Sequence, residues 1–308
     1  MVNKTTQAIT FTILVGLAFF LRLCLPAYGT SQDDEKFKIV ALGDWGCSYN
    51  TMQIVDEIKK INPDLVLGLG DYVFDNKTSC FFDMIQPFHD RMKIAFGKHD
   101  VSNGSVFRHI ADYFKIKSQY YSFNFRNVHF IAMSTEIPLK KGYPQYDFVK
   151  YDLENASKDP SIDWLVVYYH RPAYTTAAYD LKQAATLRNN YHPLFDEYGV
   201  DLVLQAHNHY YQRTYPIMYD PFTSSSPFAI KSDSNEYEDP NKPIFLTVGT
   251  GGGDSHKFQA KSEYTAAYDV GPGLLVIEIS PSDKELKAEF YSVNNGVADQ
   301  FTLRKSAN

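Results

Sequence analysis

The spacing of apolar and polar residues alternates between strand and helix patterns through the first half of the chain. Continuously apolar runs are typical of strands covered on both faces, and they occupy residues 37–44, 63–71, 92–100, 163–172 and 200–209. Helix-like spacing lies between these runs, at residues 51–61, 106–114, 145–156 and 181–199. This alternation predicts an α/β architecture in which helices cover mixed sheets.

Three further patterns complete the predicted fold. Residues 120–135 alternate like a β-hairpin with its turn at Arg126 and Asn127. The polar stretch 219–243, rich in Ser, Asp and Pro, is typical of a surface loop. Strand-like runs then continue to the last residues, so we expect the second half to be rich in strands.

The first 30 residues differ in kind from the rest. Their uninterrupted apolar run, 11–21, is shorter than the roughly 20 residues that span a bilayer, and Arg22 ends it. Pro26 and small residues near Gly29 are typical of a signal-peptide cleavage region. We expect residues 1–30 to be a signal peptide or, alternatively, an uncleaved N-terminal anchor. Residues 31–308 are then one secreted or extracytoplasmic domain that meets a membrane only through an uncleaved segment.

Composition and charge narrow the function classes. The chain is 44% hydrophobic and 21% charged, which is ordinary for a globular protein, and its formal net charge is −6. It lacks the basic face of a nucleic-acid-binding protein. Cys47 and Cys80 each follow a Gly-Asp turn, and in an exported protein two such thiols favour a disulfide over two buried unpaired cysteines.

Aspartate or histidine stands where five of the predicted strands end. These residues are Asp44, Asp71, His99 with Asp100, His170, and His207 with His209. In layered α/β folds, ligands gather at the carboxyl ends of strands. Carboxylate oxygens and imidazole nitrogens suit Zn, Fe or Mn, and two such ions about 3.5–4 Å apart are used in phosphoester hydrolysis. The pattern therefore predicts a metal site at one edge of the sheets.

Five short blocks carry a family resemblance. They are GDWG (43–46), GDYVF (70–74), GKHD (97–100), VYYH (167–170) and AHNH (206–209). In this order they resemble the blocks of the calcineurin-like metallophosphoesterases. The flanking segments resemble the purple acid phosphatase branch, and they are HRPAY (170–174), HNHYYQRTYP (207–216) and FLTVGTGG (245–252). The resemblance implies a four-layer αββα sandwich with a two-metal site between its sheets.

The resemblance also implies a role for each metal ligand. Asp44 would bind the first metal, which is typically iron in this branch, and Asp71 would bridge both metals. His209 would complete the first site, whereas His170 and His207 would bind the second.

Further residues would act on the substrate. His99 would contact the phosphate or the leaving-group oxygen, and Asp100 would hold the other ring nitrogen of His99. Tyr174 is a weaker candidate for a substrate contact, as is Lys98. The glycine-rich segment 249–253 is either a phosphate cradle or, as the resemblance implies, a tight loop near the metals.

The chain departs from the family pattern in two respects. Purple acid phosphatases carry an iron-binding tyrosine where this chain has Phe74, and relatives without that tyrosine have a histidine where this chain has Gly46. An asparagine that binds the second metal is replaced by Lys98, whose ammonium has no lone pair to offer. Three arrangements of Lys98 are open: it turns outward and leaves a weak second site, it fills that site with its own charge, or the centre no longer catalyses.

The expected function is that of an exported phosphatase that uses one or two Fe, Zn or Mn ions. Metal-bound hydroxide would attack small phosphorylated substrates, mostly monoesters. One alternative is a phosphodiesterase or nucleotide hydrolase, and another is a non-catalytic extracytoplasmic binding protein on the same fold. Lys98 leaves occupancy of the second metal site open.

Overall fold

Fifteen strands and six α-helices make up the part of the chain that the structure, a computed structural model, describes: residues 35–175, 181–257 and 260–306. The strands are β1 (Phe37–Leu42), β2 (Leu65–Gly68), β3 (Met92–Ile94), β4 (Tyr121–Phe125), β5 (Val128–Ala132), β6 (Trp164–Tyr168), β7 (Leu202–Gln205), β8 (Tyr211–Met218), β9 (Phe228–Ala229), β10 (Glu236–Glu238), β11 (Ile244–Val248), β12 (Thr265–Asp269), β13 (Gly273–Ser280), β14 (Glu285–Ser292) and β15 (Gly296–Arg304). The helices are α1 (Tyr49–Ile61), α2 (Thr78–Ile85), α3 (Lys98–Ser102), α4 (Gly104–Tyr113), α5 (Pro144–Ala156) and α6 (Leu181–Tyr198).

The strands form two mixed sheets. The first has the order β10-β15-β14-β13-β1-β2-β3, and the second has the order β12-β8-β11-β7-β6-β5-β4, with β9 paired to β8. Strands β1, β2 and β3 run parallel in the first sheet. Strands β5, β6, β7 and β11 run parallel in the second. Each sheet therefore presents a set of carboxyl strand ends at one edge.

Alternating burial along the second sheet shows how the layers stack. In β6, Val166 and Tyr168 join the core that contains the first sheet, whereas Leu165 and Val167 join a separate core with the helices α5 and α6. Successive side chains of a strand point to opposite faces, so the second sheet is covered on both sides. Ile54 of α1 packs on the first sheet. The order is helix, sheet, sheet, helix, which confirms the expected α/β sandwich.

Several sequence expectations are corrected in detail. The stretch 219–243 contains the short strands β9 and β10 rather than loop alone. The run 92–100 is a strand only as far as Ile94, because Gly97 caps a helical turn that begins at Lys98. The hairpin turn at Arg126 and Asn127 is confirmed, with Arg126 at a φ of 50°.

The predicted signal peptide or anchor, residues 1–30, lies outside the described residues, so it stays a prediction, as does the single-domain assignment of residues 31–308. Among residues 35–175, 181–257 and 260–306, none of the helices combines the length and apolarity that crossing a bilayer requires.

Candidate metal centre

The candidate ligands lie where the carboxyl ends of the two sheets meet. Asp44 and Asp71 follow β1 and β2, and their loops are joined because the Asp44 N–H donates to the Gly70 carbonyl at 3.0 Å. His170 follows β6, and its carbonyl accepts the Ala206 N–H at 2.8 Å, just before His207. Short backbone bonds between neighbouring loops thus bring side chains from distant parts of the sequence together.

Asp71 and His170 form the buried centre of the site. The Oδ1 atom of Asp71 accepts the His99 N–H at 2.8 Å, and its Oδ2 atom lies 3.1 Å from Nε2 of His170. The Nδ1 atom of His170 donates to the Leu69 carbonyl at 2.9 Å. That bond fixes the ring so that Nε2 faces the carboxylate, which is how metal-binding histidines are commonly oriented.

Asp44 and His209 repeat this arrangement on the other side of the site. The Oδ2 atom of Asp44 accepts the His207 N–H at 2.6 Å, which leaves Oδ1 at 3.4 Å from Nε2 of His209. The Nδ1 atom of His209 donates to the Asp254 carbonyl at 2.6 Å. Each of the two residues has one polar atom held by the backbone and one turned toward its partner.

The donor atoms fit a metal ion. Asp71, His170 and His207 each offer one ligand atom, and these atoms all lie within 4.8 Å of one another. Oδ1 of Asp44 is buried without a hydrogen-bond partner, and Nε2 of His170 is buried with no hydrogen bond beyond its 3.1 Å contact with the Asp71 carboxylate. Buried polar atoms are nearly always hydrogen-bonded, so two such atoms at one edge indicate that the site is built for a ligand of a different kind. Carboxylate and imidazole donors are what Fe, Zn and Mn accept.

The backbone is unusual at the same place. Asp44, Asp71 and His207 have φ values of 58°, 55° and 67°, in the left-handed region that residues other than glycine rarely adopt. Such conformations persist where the surroundings hold them in place, and they cluster at functional sites. A Cβ on Gly97 would lie 2.3 Å from Oδ1 of Asp71, so only glycine lets these two loops approach so closely.

Charges in the site are strongly coupled. Burial opposes ionisation of Asp71. The positive charge of His170 and its close contact with the Asp71 carboxylate nevertheless lower the pKa of Asp71 to about 2. Burial likewise disfavours the charged form of His170, but the Asp71 carboxylate raises the pKa of His170 to about 10. The Asp71 carboxylate thus favours the charged form of the His170 ring, and a metal bound at its Nε2 would compete with that proton.

Comparison with known proteins decides the family. The calcineurin-like phosphoesterase family matches residues 37–211, which is more than half of the chain and includes all five candidate ligands. The chain belongs to the calcineurin-like phosphoesterase family.

Relatives within this family are purple acid phosphatases and similar enzymes. Purple acid phosphatase 15 of Arabidopsis thaliana is 25% identical over 257 residues, which cover 70% of this chain and 45% of that protein. Phosphoenolpyruvate phosphatase of Allium cepa is 26% identical over 277 residues, which cover 80% of this chain and 56% of that protein. The chain thus spans about half the length of these relatives.

A solved structure confirms the fold. The purple acid phosphatase from yellow lupin (Lupinus luteus) seeds superposes with a TM-score of 0.76 at 22% identity, over 89% of this chain and 54% of that one. At this identity the likeness shows the calcineurin-like fold alone.

The structure corrects the expected role of Asp100. Both of its carboxylate oxygens accept backbone N–H groups, those of Asp71 and Gly97 at 2.8 Å and that of Tyr72 at 2.9 Å. It therefore holds two loops of the phosphoesterase site together and does not hold the His99 ring. Burial and the charge of Asp71 raise the pKa of Asp100 to about 7.

His99 itself lies at the rim of the site. Its side chain is exposed, its N–H donates to Asp71, and its ring meets the Phe74 ring edge-on with centroids 5.0 Å apart. The expected contact between His99 and a phosphate is compatible with this exposure and stays a prediction.

Lys98 lies on the surface at the start of α3. Its side chain is exposed and, within the part of the chain that the structure describes, makes no hydrogen bond or ion pair. This exposure favours the outward arrangement of the three considered above, and the weak second site that it implies stays a prediction. The ammonium of Lys98 has no lone pair, so it cannot supply the donor that the family resemblance assigns to an asparagine here.

Phe74 occupies the place of the expected tyrosine. Its ring is 37% exposed and lies 5.6 Å from the His209 ring, centroid to centroid. Tyr72 cannot replace the missing phenolate, since its hydroxyl is buried and donates to the Ala95 carbonyl at 2.7 Å. The first site therefore keeps Asp44, Asp71 and His209 as its candidate ligands.

The predicted disulfide between Cys47 and Cys80 is confirmed. It joins the loop after Asp44 to helix α2, which follows the loop of Asp71. A covalent tie thus connects the two segments that carry the aspartates.

Tyr174 does not contact the site. It is 1% exposed, and its hydroxyl hydrogen-bonds with Nδ1 of His192 at 2.6 Å. Its ring packs against Phe245 and Tyr264 in the core beneath α6. The suggested substrate contact is therefore wrong, because burial separates this hydroxyl from solvent.

The glycine-rich segment 249–253 is a tight loop beside the metal candidates. The N–H groups of Gly251 and Gly253 donate to the carbonyls of Gly43 and Asp44 at 2.9 and 3.0 Å. These donors are used within the protein, so they do not form a phosphate cradle. The loop instead holds the Asp44 turn in its left-handed conformation.

Sequence reasoning missed His256. Its ring stacks on that of His209 with centroids 4.0 Å apart and an interplanar angle of 5°. Burial and the charge of His209 lower the pKa of His256. No sequence signal marks it, because His256 lies in a polar loop rather than at the end of a strand.

Proposed function

We propose that this chain is a metal-dependent phosphoesterase that acts mainly on phosphomonoesters outside the cytoplasm. The observation that carries the proposal is the clustering of Asp71, His170 and His207 donor atoms within 4.8 Å, beside the pair of Asp44 and His209. Membership of the calcineurin-like phosphoesterase family supports it, as do relatives that are named phosphatases.

The residues present would hold one or two metal ions. Asp44 and His209 would bind on one side, His170 and His207 on the other, and the Asp71 carboxylate would serve both. Iron, zinc or manganese held there would polarise a phosphoryl oxygen and activate water. The backbone bonds to both aspartates and to the Nδ1 atoms of His170 and His209 keep the donor atoms in place before any ion binds.

His99 would act on the substrate at the rim. Its exposed ring, held by the edge of Phe74, can donate a hydrogen bond to a phosphoryl or leaving-group oxygen. The exposed ammonium of Lys98 lies next along the chain and would attract a phosphate dianion by its charge.

A second candidate is a non-catalytic binding protein on the same fold. It is favoured by the two missing ligands, since Phe74 and Lys98 offer no donor to the metals. A phosphodiesterase remains a variant of the first candidate, because an open two-metal site serves both ester classes.

Hydrolysis of 4-nitrophenyl phosphate with added Mn, Fe or Zn tests the proposal. We expect metal-dependent turnover, with slower hydrolysis of bis(4-nitrophenyl) phosphate. Asp71→Asn should lower kcat by about 100-fold or more, because an amide is a poorer metal ligand than a carboxylate. The matched control is Asp75→Asn, four residues away on the exposed part of the same loop. Full activity in Asp71→Asn would refute the assigned site, and no turnover with any metal would favour the binding protein.

A further inference from the structure

A cavity of about 360 Å³ lies where an edge strand of each sheet comes together. It is bounded by β3, which ends the first sheet, by the turn after α4, and by β4, which ends the second sheet. Its lining consists of residues 92–94, 114–118 and Tyr121, and we call it the edge cavity. Its volume is in the range of small-molecule sites. None of its lining residues is a candidate metal ligand, so the edge cavity is separate from the proposed catalysis.

The walls of the edge cavity are apolar. Phe114, Ile116 and Tyr121 are half-buried, and the buried side chains of Met92 and Ile94 close the cavity on the side of the core. The Tyr121 hydroxyl donates to the Ile94 carbonyl at 2.7 Å and accepts the Ile94 N–H at 3.0 Å. Tyr121 therefore offers the cavity its ring alone. The same bonds occupy the groups that Ile94 would offer to an added peptide strand, so the walls suit an apolar chain instead.

Three lysines make the edge cavity positive. Lys93, Lys115 and Lys117 line it with exposed side chains, and its lining contains no carboxylate. Lys93 lies over the Phe123 ring, with its Nζ atom 5.6 Å from the ring centroid. Within the described ranges, Lys115 and Lys117 form no ion pair or side-chain hydrogen bond. In a chain of net charge −6, three such lysines are a local concentration of positive charge that favours an anion.

The acids nearest along the chain leave this charge in place. Asp112 meets Lys115 only through its backbone carbonyl, which accepts the Lys115 N–H at 3.1 Å. The Oδ1 atom of Asp90 lies 3.2 Å from Nδ1 of His89. In the part of the chain that the structure describes, neither carboxylate pairs with a lysine of the edge cavity.

Lys115 occupies a position where glycine is usual. Helix α4 ends in a Schellman motif, since the Ile116 N–H donates to the Ala111 carbonyl at 2.8 Å and the Lys115 N–H donates to Asp112. Lys115 accordingly has a φ of 55°, in the left-handed region that glycine adopts without strain. The chain thus keeps a lysine at the edge cavity at a cost to the backbone, and such costs cluster at functional sites.

We propose that the edge cavity binds a small amphiphilic anion, an organic carboxylate with a short alkyl chain such as octanoate. The chain would lie against Phe114, Ile116 and the ring of Tyr121, and the carboxylate would meet the ammonium groups of Lys115 and Lys117. Burial of the alkyl chain and charge-assisted hydrogen bonds to the carboxylate both contribute to binding. This site is additional to the metal centre and does not depend on the proposed phosphoesterase function.

Calorimetric titration of the metal-loaded protein with sodium octanoate tests this inference. We expect saturable binding of about one molecule per chain with a Kd below about 1 mM. Two probes separate charge from chain: 1-octanol lacks the carboxylate, and butyrate has a shorter chain. Both should bind at least about tenfold more weakly than octanoate. The variant Asp71→Asn should bind octanoate as tightly as wild type, because its change lies at the metal centre.

Lysine variants assign the binding to the edge cavity. K115Q/K117Q should weaken octanoate binding about tenfold, the effect of one lost charge-assisted hydrogen bond. The matched control K140Q/K141Q changes two neighbouring exposed lysines of a different cavity and should keep the wild-type Kd. Lys115→Gly removes one ammonium and relieves the left-handed backbone, so it should weaken binding without lowering the Tm.

Three results would overturn the inference. The first is no saturable binding of octanoate up to about 1 mM. The second is equal affinity for octanoate and 1-octanol, or an unchanged Kd in K115Q/K117Q. The third is binding that is lost in Asp71→Asn and kept in K115Q/K117Q, which would place the carboxylate at the metals. Hydrolysis of 4-nitrophenyl phosphate is measured in parallel, and its absence would count against the proposed function alone.

Discussion

The candidate ligands share one design at the scale of single residues. Asp44, Asp71, His170 and His209 each have one polar atom held by a backbone group and a second atom turned toward the centre. This arrangement removes rotational freedom before a metal binds, so less ordering is required on binding.

Lys98 is the residue whose replacement is most informative. Lys98→Asn would offer an amide oxygen to the second site and remove a positive charge from the loop that carries His99. We expect metal affinity at the second site to rise about tenfold, because losing one supporting group at a metal site typically lowers the affinity by at least that factor. Titration of the metal-free protein with Mn, followed calorimetrically, measures this affinity. An unchanged affinity would show that Lys98 does not limit the site.

The residues of the site differ in how far the sequence predicts them. The five candidate ligands stand at strand ends in recognisable blocks, so the sequence singles them out. The role predicted for Asp100 differs from the observed one because an aspartate three residues after an N-cap can accept the backbone N–H of that N-cap residue. Asp100 does so with the N–H of Gly97 at the start of α3. His256 was missed because its contact with His209 spans 47 residues and depends on loop packing alone.

Loops and their ties matter most at the scale of elements. The Cys47–Cys80 disulfide closes a segment with a sequence separation of 33 residues, which contains the Asp71 loop and begins three residues after Asp44. The sequence predicted this bond from the position of each cysteine after a Gly-Asp turn. It could not predict that α2 carries Cys80, because the pattern of that short helix is not distinctive.

Removal of this disulfide should destabilise the fold. For a closed segment of this length the chain-entropy relation gives a loss of about 3–4 kcal/mol in the free energy of unfolding for C47S/C80S. Urea unfolding of the variant and of wild-type protein, with and without reductant, measures the loss. Reductant should lower the stability of wild-type protein to that of the variant and leave the variant unchanged. Equal stability of oxidised wild type and variant would contradict the expectation.

The two sheets are joined by a buried ion pair at the scale of the whole molecule. Arg213 of β8 and Asp299 of β15 lie in different sheets, and their side chains are 1% and 7% exposed. The pair is bidentate, with Nε–Oδ2 at 2.6 Å and Nη2–Oδ1 at 2.9 Å. The arginine of the YQRTYP segment is thus structural.

Breaking this pair should be costly. Arg213→Met leaves the Asp299 carboxylate buried without its partner, and we expect a loss of about 3–5 kcal/mol in unfolding free energy. The double variant R213M/D299L should recover most of it, because no charge then remains unpaired. Lys158→Met breaks the exposed pair with Glu154 and should cost at most about 0.5 kcal/mol. A loss in R213M as small as in K158M would contradict this account.

The layers were predictable from the sequence, whereas the way the sheets meet was not. Apolar runs and helical spacing gave the parallel strands β1, β2, β6 and β7 and the helices α1, α5 and α6 close to their observed bounds. The order of the strands depends on pairings between distant segments, such as β1 with β13, and no local pattern encodes these. That order places Asp71 beside His170.

The metal content of the purified and reconstituted protein tests the central claim most directly. We predict about one to two ions of Fe, Zn or Mn per chain, a loss of most of this metal in Asp71→Asn, and no purple absorption band, since Phe74 supplies no phenolate. Protein that takes up no metal under any condition, or an Asp71→Asn variant with the same metal content as wild type, would contradict the account.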